Sequence, residues 1–391
     1  MAYKPPRNVF LLSLTSFFND ASSEMISSVM PAFFISVLKA GAASLGLVEG
    51  IAEGASNLIK IYSGRLSDHE GRRKPLIIAG YSLAVLTRPF YLLVSNVAGV
   101  IGLRVTDRIG KGLRDAPRDA AISLSTSKEE LGAAFGYHRM WDTMGAIVGP
   151  LIAFLILERF PGAFNTVFIS AFVIGICAVV ATLFVKDVVG TAAKAIATRS
   201  YFAALSPAFK RYLIALFFLS FGSLPMAVLL LKTQSFAALT LASIPLFYML
   251  YNVSYAGFSL SAGKMSDKVG PRRVITLGYL ILVGGYVFLA FAENPVLLAI
   301  GFLILGLFPA LTDGVQRALA ADLSASDTRG EALGLVNGVS GLGLLFAGIG
   351  GGYVWAHFGS NMALFIAGIF VLVGIVTFLT VPRHQSATIN T

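Results

Sequence analysis

Apolar segments long enough to cross a lipid bilayer recur along almost the whole chain. A helix needs about 20 mostly apolar residues to span the hydrocarbon core. Of the side chains, 56% are hydrophobic and only 13% are charged, which is more apolar surface than a water-soluble globule buries. The sequence therefore predicts an all-α polytopic membrane protein whose twelve transmembrane helices lie near 9–38, 43–62, 75–95, 96–120, 131–157, 164–185, 211–231, 240–262, 274–292, 295–321, 331–355 and 361–381.

The basic residues fall on one side of this predicted topology. The formal net charge is +10, yet the connections on one side carry only Lys39, Arg159 and Lys232, while the termini and the other connections carry most of the remaining Lys and Arg. This asymmetry is the positive-inside rule. It predicts a multi-pass protein of the bacterial inner (cytoplasmic) membrane with both termini cytoplasmic, and it explains the basic charge without nucleic-acid binding. No cleavable signal peptide is expected, because polar residues interrupt the first apolar segment.

Two halves of the chain repeat each other at an offset of 199 residues. The connection after the second predicted helix, Gly64-Arg-Leu-Ser-Asp68, returns after the eighth as Gly263-Lys-Met-Ser-Asp267. Internal repeats are the usual plan of secondary transporters. We therefore expect an N-terminal six-helix bundle over 1–185, a cytoplasmic linker over 186–210 and a C-terminal six-helix bundle over 211–391.

The repeated connections have the composition of a conformational latch. Glycine allows two helices to approach closely, aspartate caps a helix N-terminus, and arginine holds a facing carboxylate. Ordinary topogenic loops are the alternative interpretation. The predicted latch consists of Gly64, Asp68, Arg72 and Arg73 in the first copy and Gly263, Asp267 and Arg272 in the second.

Ionisable side chains cluster at membrane depth in the N-terminal half. Counted at about 1.5 Å per residue, Asp20, Glu53, Arg108 and Asp142 lie near the midplane. Such groups face protein or a water-filled path, and a mixture of carboxylates and arginines is suited to proton coupling. Static ion pairs are the alternative. The candidates for proton coupling are Asp20, Glu24, Glu53, Arg108, His138 and Asp142, with Arg108 as the switching counter-charge.

The C-terminal half offers an aromatic and polar surface instead. Tyr248, Tyr251, Asn252 and Tyr255 share one face of the eighth predicted helix. Such a wall suits an amphipathic organic solute, although tyrosines also serve helix packing and interfacial belts. The candidates for a substrate cavity are Asn19, Tyr251, Asn252, Tyr255, Asp313, Gln316 and Asn337, whereas the glycines of the eleventh predicted helix are expected to allow close packing.

These motifs resemble those of the major facilitator superfamily over essentially the whole chain. The two Asp/Arg connections resemble its signature loops, and Arg108-Ile-Gly-Lys-Gly112 resembles its arginine-bearing motif. Gly136, Gly145 and Gly149-Pro150 resemble its antiporter motif, and residues 107–120 resemble a bacterial and archaeal subgroup labelled drug or efflux permeases. The resemblance implies two pseudo-symmetric six-helix bundles around a central cavity that opens alternately to each side.

The function expected from these features is secondary active, proton-coupled export of an amphipathic organic solute by alternating access, with sodium as the other possible coupling ion. Uptake of a siderophore or another small organic acid is the first alternative, because a transporter with the same charges runs in either direction. A non-transporting receptor or sensor is the alternative of another class. No catalytic constellation, metal site or cofactor motif is recognisable, the single cysteine is Cys177, and we expect a monomer in the bilayer.

Overall fold

Twelve helices account for nearly all of the chain in a computed structural model, which describes residues 4–70, 73–127, 130–188, 206–323 and 329–382. Side chains of 64–70, 317–318, 321–322 and 329–331 lie outside that description. The N-terminal half contains α1 (Arg7–Ser36), α2 (Ala42–Glu70), α3 (Lys74–Phe90), α4 (Val97–Leu124), α5 (Leu131–Arg159) and α6 (Phe164–Leu183). The C-terminal half contains α7 (Pro207–Phe221 and Met226–Leu230), α8 (Ile244–Val269), α9 (Pro271–Ala290), α10 (Pro295–Asp322), α11 (Arg329–Phe358) and α12 (Ser360–Leu379).

The α7 helix is broken where the sequence predicted a continuous span. The first segment ends at Phe221, the second begins after Pro225, and a 3-10 turn, Leu231–Ser235, follows. The hydroxyl of Tyr286 fills the break, because it donates to the Gly222 carbonyl at 3.1 Å and accepts from the Leu224 N–H at 2.9 Å. Backbone groups freed inside an apolar bundle need such partners.

Most helix contacts fall within one half of the chain or the other. In the N-terminal half α1 packs on α5 and α6, while α4 packs on α2 and α3. In the C-terminal half α10 packs on α8 and α9, while α7 packs on α11 and α12. The predicted linker ends earlier than expected, since α7 begins at Pro207, and its residues 189–205 lie outside the described residues.

The most extensive contacts between the halves, among the described residues, are those of α2 with α11 and of α5 with α8. The α2–α11 seam is lined by glycines on both sides. A Cβ added to Gly348 would lie 2.6 Å from the Cα of Gly50, and one added to Gly341 would lie 2.7 Å from the Cβ of Asn57. Because real Cβ atoms do not approach this closely, the glycines are what permit the contact, which confirms their predicted packing role.

The space between the halves opens toward the face that carries the chain termini. On that side, Gly132 and Gly136 of α5 and Gly257 and Gly263 of α8 have no atom within 4 Å of an added Cβ. Toward the other face, Asn252 of α8 donates to the Ala146 carbonyl of α5 at 3.0 Å, and Met226–Leu230 packs against α1 and α2. Across the α5–α8 pair the described contacts thus lie toward the face opposite the termini, and we infer a cavity that is open toward the termini.

The predicted latch takes a different form in this conformation. Arg73 donates to the Val188 carbonyl at 3.2 Å, and Arg272 donates to the carbonyls of Val381, at 2.5 Å, and Pro382. Each arginine thus binds backbone carbonyls in the segment just beyond the last helix of its own half. Gly263 makes no close approach and Asp267 is exposed, so neither holds the halves together here. The surroundings of Gly64, the side chain of Asp68 and all of Arg72 lie outside the described residues.

Candidate functional site

Polar side chains concentrate on the least apolar helices. Within the described ranges, eight helices are long and apolar enough to cross a membrane on composition alone, and the other four are α1, α2, α4 and α8. Three of these four lie in the N-terminal half. They carry Asp20, Glu24, Glu53 and Arg108, and α8 carries the tyrosine stripe, whereas His138 and Asp142 lie on the more apolar α5.

Close contact between α1 and α5 brings two carboxyl groups together. A Cβ on Gly145 would collide with the backbone of Phe17 and Ala21, and one on Gly149 with the backbone of Ala21. The two helix backbones therefore touch at the positions that resemble an antiporter motif. Asp20 of α1 and Asp142 of α5 consequently lie within hydrogen-bonding reach of each other.

The arginine that contacts this pair is Arg139. Its Nη1 lies 3.2 Å from Asp142 Oδ2, and its Nη2 lies 3.9 Å from Asp313 Oδ2 in the other half. Its guanidinium also lies over the ring of Tyr255, 5.1 Å from the centroid. The Arg139 side chain is 48% exposed, so a cation from the N-terminal half reaches across the open cavity to the C-terminal half.

Arg108 does not contact Asp20 or Asp142, contrary to its predicted role as their counter-charge. Its Nε lies 3.0 Å from Glu53 Oε1, and its Nη1 lies 3.9 Å from Asp107 Oδ2. One helical turn away, both oxygens of Glu49 accept from Arg104 Nη2, at 2.7 and 2.6 Å. These two ladder-like ion pairs join α2 to α4 inside one half, which favours the static interpretation for Arg108 and Glu53.

Glu24 connects the two halves. The hydroxyl of Tyr248 donates to Glu24 Oε2 at 2.6 Å. The Tyr248 and Tyr251 rings are stacked at 6.2 Å with an interplanar angle of 9°. Further along α8, Tyr255 donates to Asp313 Oδ2 at 2.9 Å, so an aromatic wall with bound carboxylates faces the N-terminal charges.

Three of the predicted cavity residues face elsewhere. Asn19 is completely buried inside the N-terminal half, and Asn252 is buried at the α5–α8 contact. Gln316 donates to the Tyr279 hydroxyl of α9 at 2.7 Å, inside its own half. Helix periodicity groups residues on one face but does not say which neighbour that face meets. Asn337 of α11 is half-buried, and its role stays a prediction.

His138 lies near Asp142 but not in contact with it through a hydrogen bond. The side chain is buried, and neither ring nitrogen has a hydrogen-bond partner among the described residues. Its predicted part in a proton relay is therefore untested. Within the described ranges, no group of three His, Cys, Asp or Glu side chains is arranged to hold a metal ion.

Arg88, the residue before Pro89 in α3, is a buried charge that was not among the sequence-predicted site residues. This arginine is completely buried, and its Nη2 donates to Asn19 Oδ1 at 3.1 Å. A lone arginine in an otherwise apolar span was a visible signal, since such a charge is costly unless it serves a purpose.

Comparison with known proteins gives a consistent result. The model of the Major Facilitator Superfamily matches residues 12–251 and 213–391. An uncharacterized MFS-type transporter of Methanocaldococcus jannaschii is 35% identical over 380 residues, covering 94% of both chains. The multi-drug resistance efflux pump PmrA of Streptococcus pneumoniae is 28% identical over 328 residues, covering 78% of both chains.

Solved structures share the fold at low sequence identity. A mutant of the nucleoside transporter NupG superposes with a TM-score of 0.82 at 14% identity, covering 96% of this chain and 100% of that one. A POT family transporter in complex with 5-aminolevulinic acid superposes with a TM-score of 0.80 at 12% identity, covering 96% of both chains. At such identities the likeness concerns the fold alone.

Proposed function

Because this chain belongs to the Major Facilitator Superfamily, we propose that it is a proton-coupled transporter that exports an amphipathic organic solute by alternating access. The observation that carries the proposal is the contact between the carboxyl groups of Asp20 and Asp142 at the wall of the cavity. Two ionised carboxylates within hydrogen-bonding reach repel each other, whereas two carboxyl groups that share one proton form a hydrogen bond. The pair is thus suited to carry one proton.

Arg139 supplies the coupling to conformation. In the present state it divides its charge between Asp142 on its own half and Asp313 with Tyr255 on the other. When the halves rock, the distance to Asp313 changes, and Arg139 then pairs more or less fully with Asp142. A cation that approaches a carboxylate favours its ionised form, so this movement loads and unloads the proton.

The solute site lies between the N-terminal carboxylates and the tyrosines of α8. Stacked rings bind a flat or apolar body, while Glu24, Asp313 and the tyrosine hydroxyls offer directed polar contacts. Export is supported by the relatives named multi-drug resistance efflux pumps and by the glycine contact of α1 with α5.

We place both termini and the open face of the cavity in the cytoplasm, because the basic connections lie on that side. Lys268, at the end of α8, is exposed there. In a variant with Cys177→Ala and Lys268→Cys, intact cells should shield the new thiol from a membrane-impermeant maleimide. Rapid labelling of this thiol from outside would show that the termini face the outside of the cell.

Reconstitution in liposomes with an internal pH dye tests the function. A panel of siderophores, cationic drugs and organic acids is screened for solute-dependent proton flux. We expect one chemical class to trigger flux, and we expect Asp20→Asn or Asp142→Asn to reduce it at least about tenfold while the protein stays folded. Glu158→Gln, at the exposed far end of α5, is the matched control and should behave like wild type.

Full pH-driven transport in both aspartate variants would rule out the carboxyl pair as the proton carrier. Solute flux that follows a sodium gradient instead of a pH gradient would show that sodium, and not the proton, is the coupling ion. Movement of the solute in the same direction as the protons would overturn export, although transport would still be coupled to protons.

A further inference from the structure

A completely buried arginine stands behind the carboxyl pair, on the side away from the cavity. Arg88 projects from α3 into a space enclosed by α1, α4 and α6. Gly175 of α6 provides the room, because a Cβ at that position would collide with Arg88 Nη1. Charge in such a place is costly, and none of the contacts of the solute cavity uses it.

The partners of Arg88 are few. Its Nη2 donates to Asn19 Oδ1 at 3.1 Å, while Nε and Nη1 have no hydrogen-bond partner within the described residues. The titratable groups that face it are Asp107 and Arg114 of α4, Asp20 of α1 and Tyr91 beyond the end of α3. The buried cation therefore acts on the surrounding carboxylates without a direct ion pair at contact distance to any of them.

Asn19 connects Arg88 to Asp20 through two hydrogen bonds. A guanidinium only donates, so Asn19 must present its amide oxygen to Arg88. The amide nitrogen then points the other way and donates to Asp20 Oδ1 at 3.0 Å. A donor at this oxygen favours the ionised form of the carboxyl group.

We propose that Arg88, acting through Asn19, is the positioning residue that sets how readily the Asp20–Asp142 pair gives up its proton. This inference rests on the proposed function of that pair. The other charged groups facing Asp20 are Asp142 of α5, Glu24 of α1 and Lys111 of α4. Lys111 is only half-buried, whereas Arg88 is fully enclosed within one half. Its influence on Asp20 consequently stays constant while solute enters and leaves the cavity.

The test needs no identified solute. Purified protein in lipid bilayers is titrated, and the infrared carbonyl stretch of protonated carboxyl groups is followed against pH, with Asp20→Asn used to assign the band. In Arg88→Gln the midpoint should move to higher pH by about 0.5–1 unit, because the pair loses a cation that favours ionisation. Arg88→Lys keeps the charge and should restore most of the wild-type midpoint.

Asn19→Leu tests the relay itself, since it removes both hydrogen bonds and keeps Arg88. It should move the midpoint in the same direction as Arg88→Gln. Lys232→Gln, which replaces a buried cation of the C-terminal half, should leave the midpoint unchanged. If Arg88→Gln fails to fold, Gly175→Ala displaces the guanidinium instead, with Gly102→Ala, which has open space around it, as control.

The outcomes separate this inference from the proposed function. An unchanged midpoint in folded Arg88→Gln and Asn19→Leu, beside a wild-type band that Asp20→Asn removes, overturns the role of Arg88 alone. A wild-type protein with no titrating band that depends on Asp20 overturns both proposals. A shift in the opposite direction would show that Arg88 retains the proton and would also overturn the inference.

Discussion

Loss of an ion pair between α2 and α4 should affect the stability of the protein, whereas loss of the Asp20–Asp142 pair should affect proton transport. Glu49 and Arg104 are almost completely buried, with 6% and 3% of their side chains exposed, and they meet through one nitrogen and two oxygens. Burial makes an unpaired partner far more costly than the intact pair. This pair is therefore a structural feature of the N-terminal bundle.

We expect Glu49→Gln to destabilise the protein by about 3–5 kcal/mol, because it leaves Arg104 charged and unpaired in the interior. Combining it with Arg104→Met should recover most of that loss. Thermal unfolding of the purified variants measures both effects. A double variant as unstable as the single one would show that the two residues act independently, and a stable single variant would show that water reaches Arg104.

Sequence alone located these charges but not their partners. Rise per residue places a side chain at a depth in the bilayer, and i,i+4 spacing places it on a face. Neither quantity tells which helix lies opposite. For this reason Arg108 was predicted as the counter-charge of the proton carriers, although Arg139, one turn from Asp142 on the same helix, contacts that carboxylate. Asn19 was assigned to the cavity, although α1 turns it toward Arg88.

At the scale of helices, positions were predicted more accurately than side-chain partners were, because the lipid bilayer constrains the length and hydropathy of every transmembrane span. All twelve segments exist, and most ends agree within a few residues. The break in α7 was missed because its residues Gly222 to Pro225 interrupt an apolar stretch too briefly to lower the hydropathy. The hydroxyl of Tyr286 that stabilises the break comes from α9, which no local pattern reveals.

The α2–α11 seam leads to a prediction about conformation. Gly348→Ala places a methyl group against the Gly50 backbone. Overpacking of this kind costs about 1–3 kcal/mol in the state where the seam is closed, so the opposite state should gain about fivefold or more in relative population.

Labelling of a buried position measures this shift. In a Cys177→Ala background, Leu229→Cys lies in the α7 segment that closes the face opposite the termini, where Leu229 is 2% exposed. The maleimide reaction rate of this thiol should rise with Gly348→Ala and stay unchanged with Gly284→Ala, whose surroundings are open. Equal rates in all three proteins would mean that the seam does not control access.

At the scale of the whole molecule, a symmetric backbone carries asymmetric chemistry. Shifting α2 by 199 residues gives 241–269, and α8 spans Ile244–Val269. The side chains do not repeat in this way. Asp20, Glu49 and Arg88 correspond to Leu219, Tyr248 and Val287. In the proposed mechanism the N-terminal half accordingly handles the proton, and the C-terminal half supplies the aromatic surface for the solute.

The hydrogen bond between Glu24 and Tyr248 joins these two halves directly, which makes it a test of how they are coupled. A bond to a charged group contributes about 1.5–3 kcal/mol. The Glu24–Tyr248 hydrogen bond is present in the conformation that opens toward the chain termini, and we expect the rocking motion of the halves to break it. Tyr248→Phe or Glu24→Gln should therefore reduce the population of the termini-open state about tenfold, and the double variant should reduce it no further than either single one.

Spin labels on Phe135 of α5 and Phe258 of α8, both exposed beside the opening, report that population through the distance between them. Tyr251→Phe is the matched control, because this neighbour belongs to the same aromatic stack but the bond to Glu24 comes from Tyr248. Additive effects of the two substitutions would show that each residue stabilises the open state by a separate contact. An unchanged distance distribution would show that the α2–α11 and α5–α8 seams alone hold the halves in this arrangement.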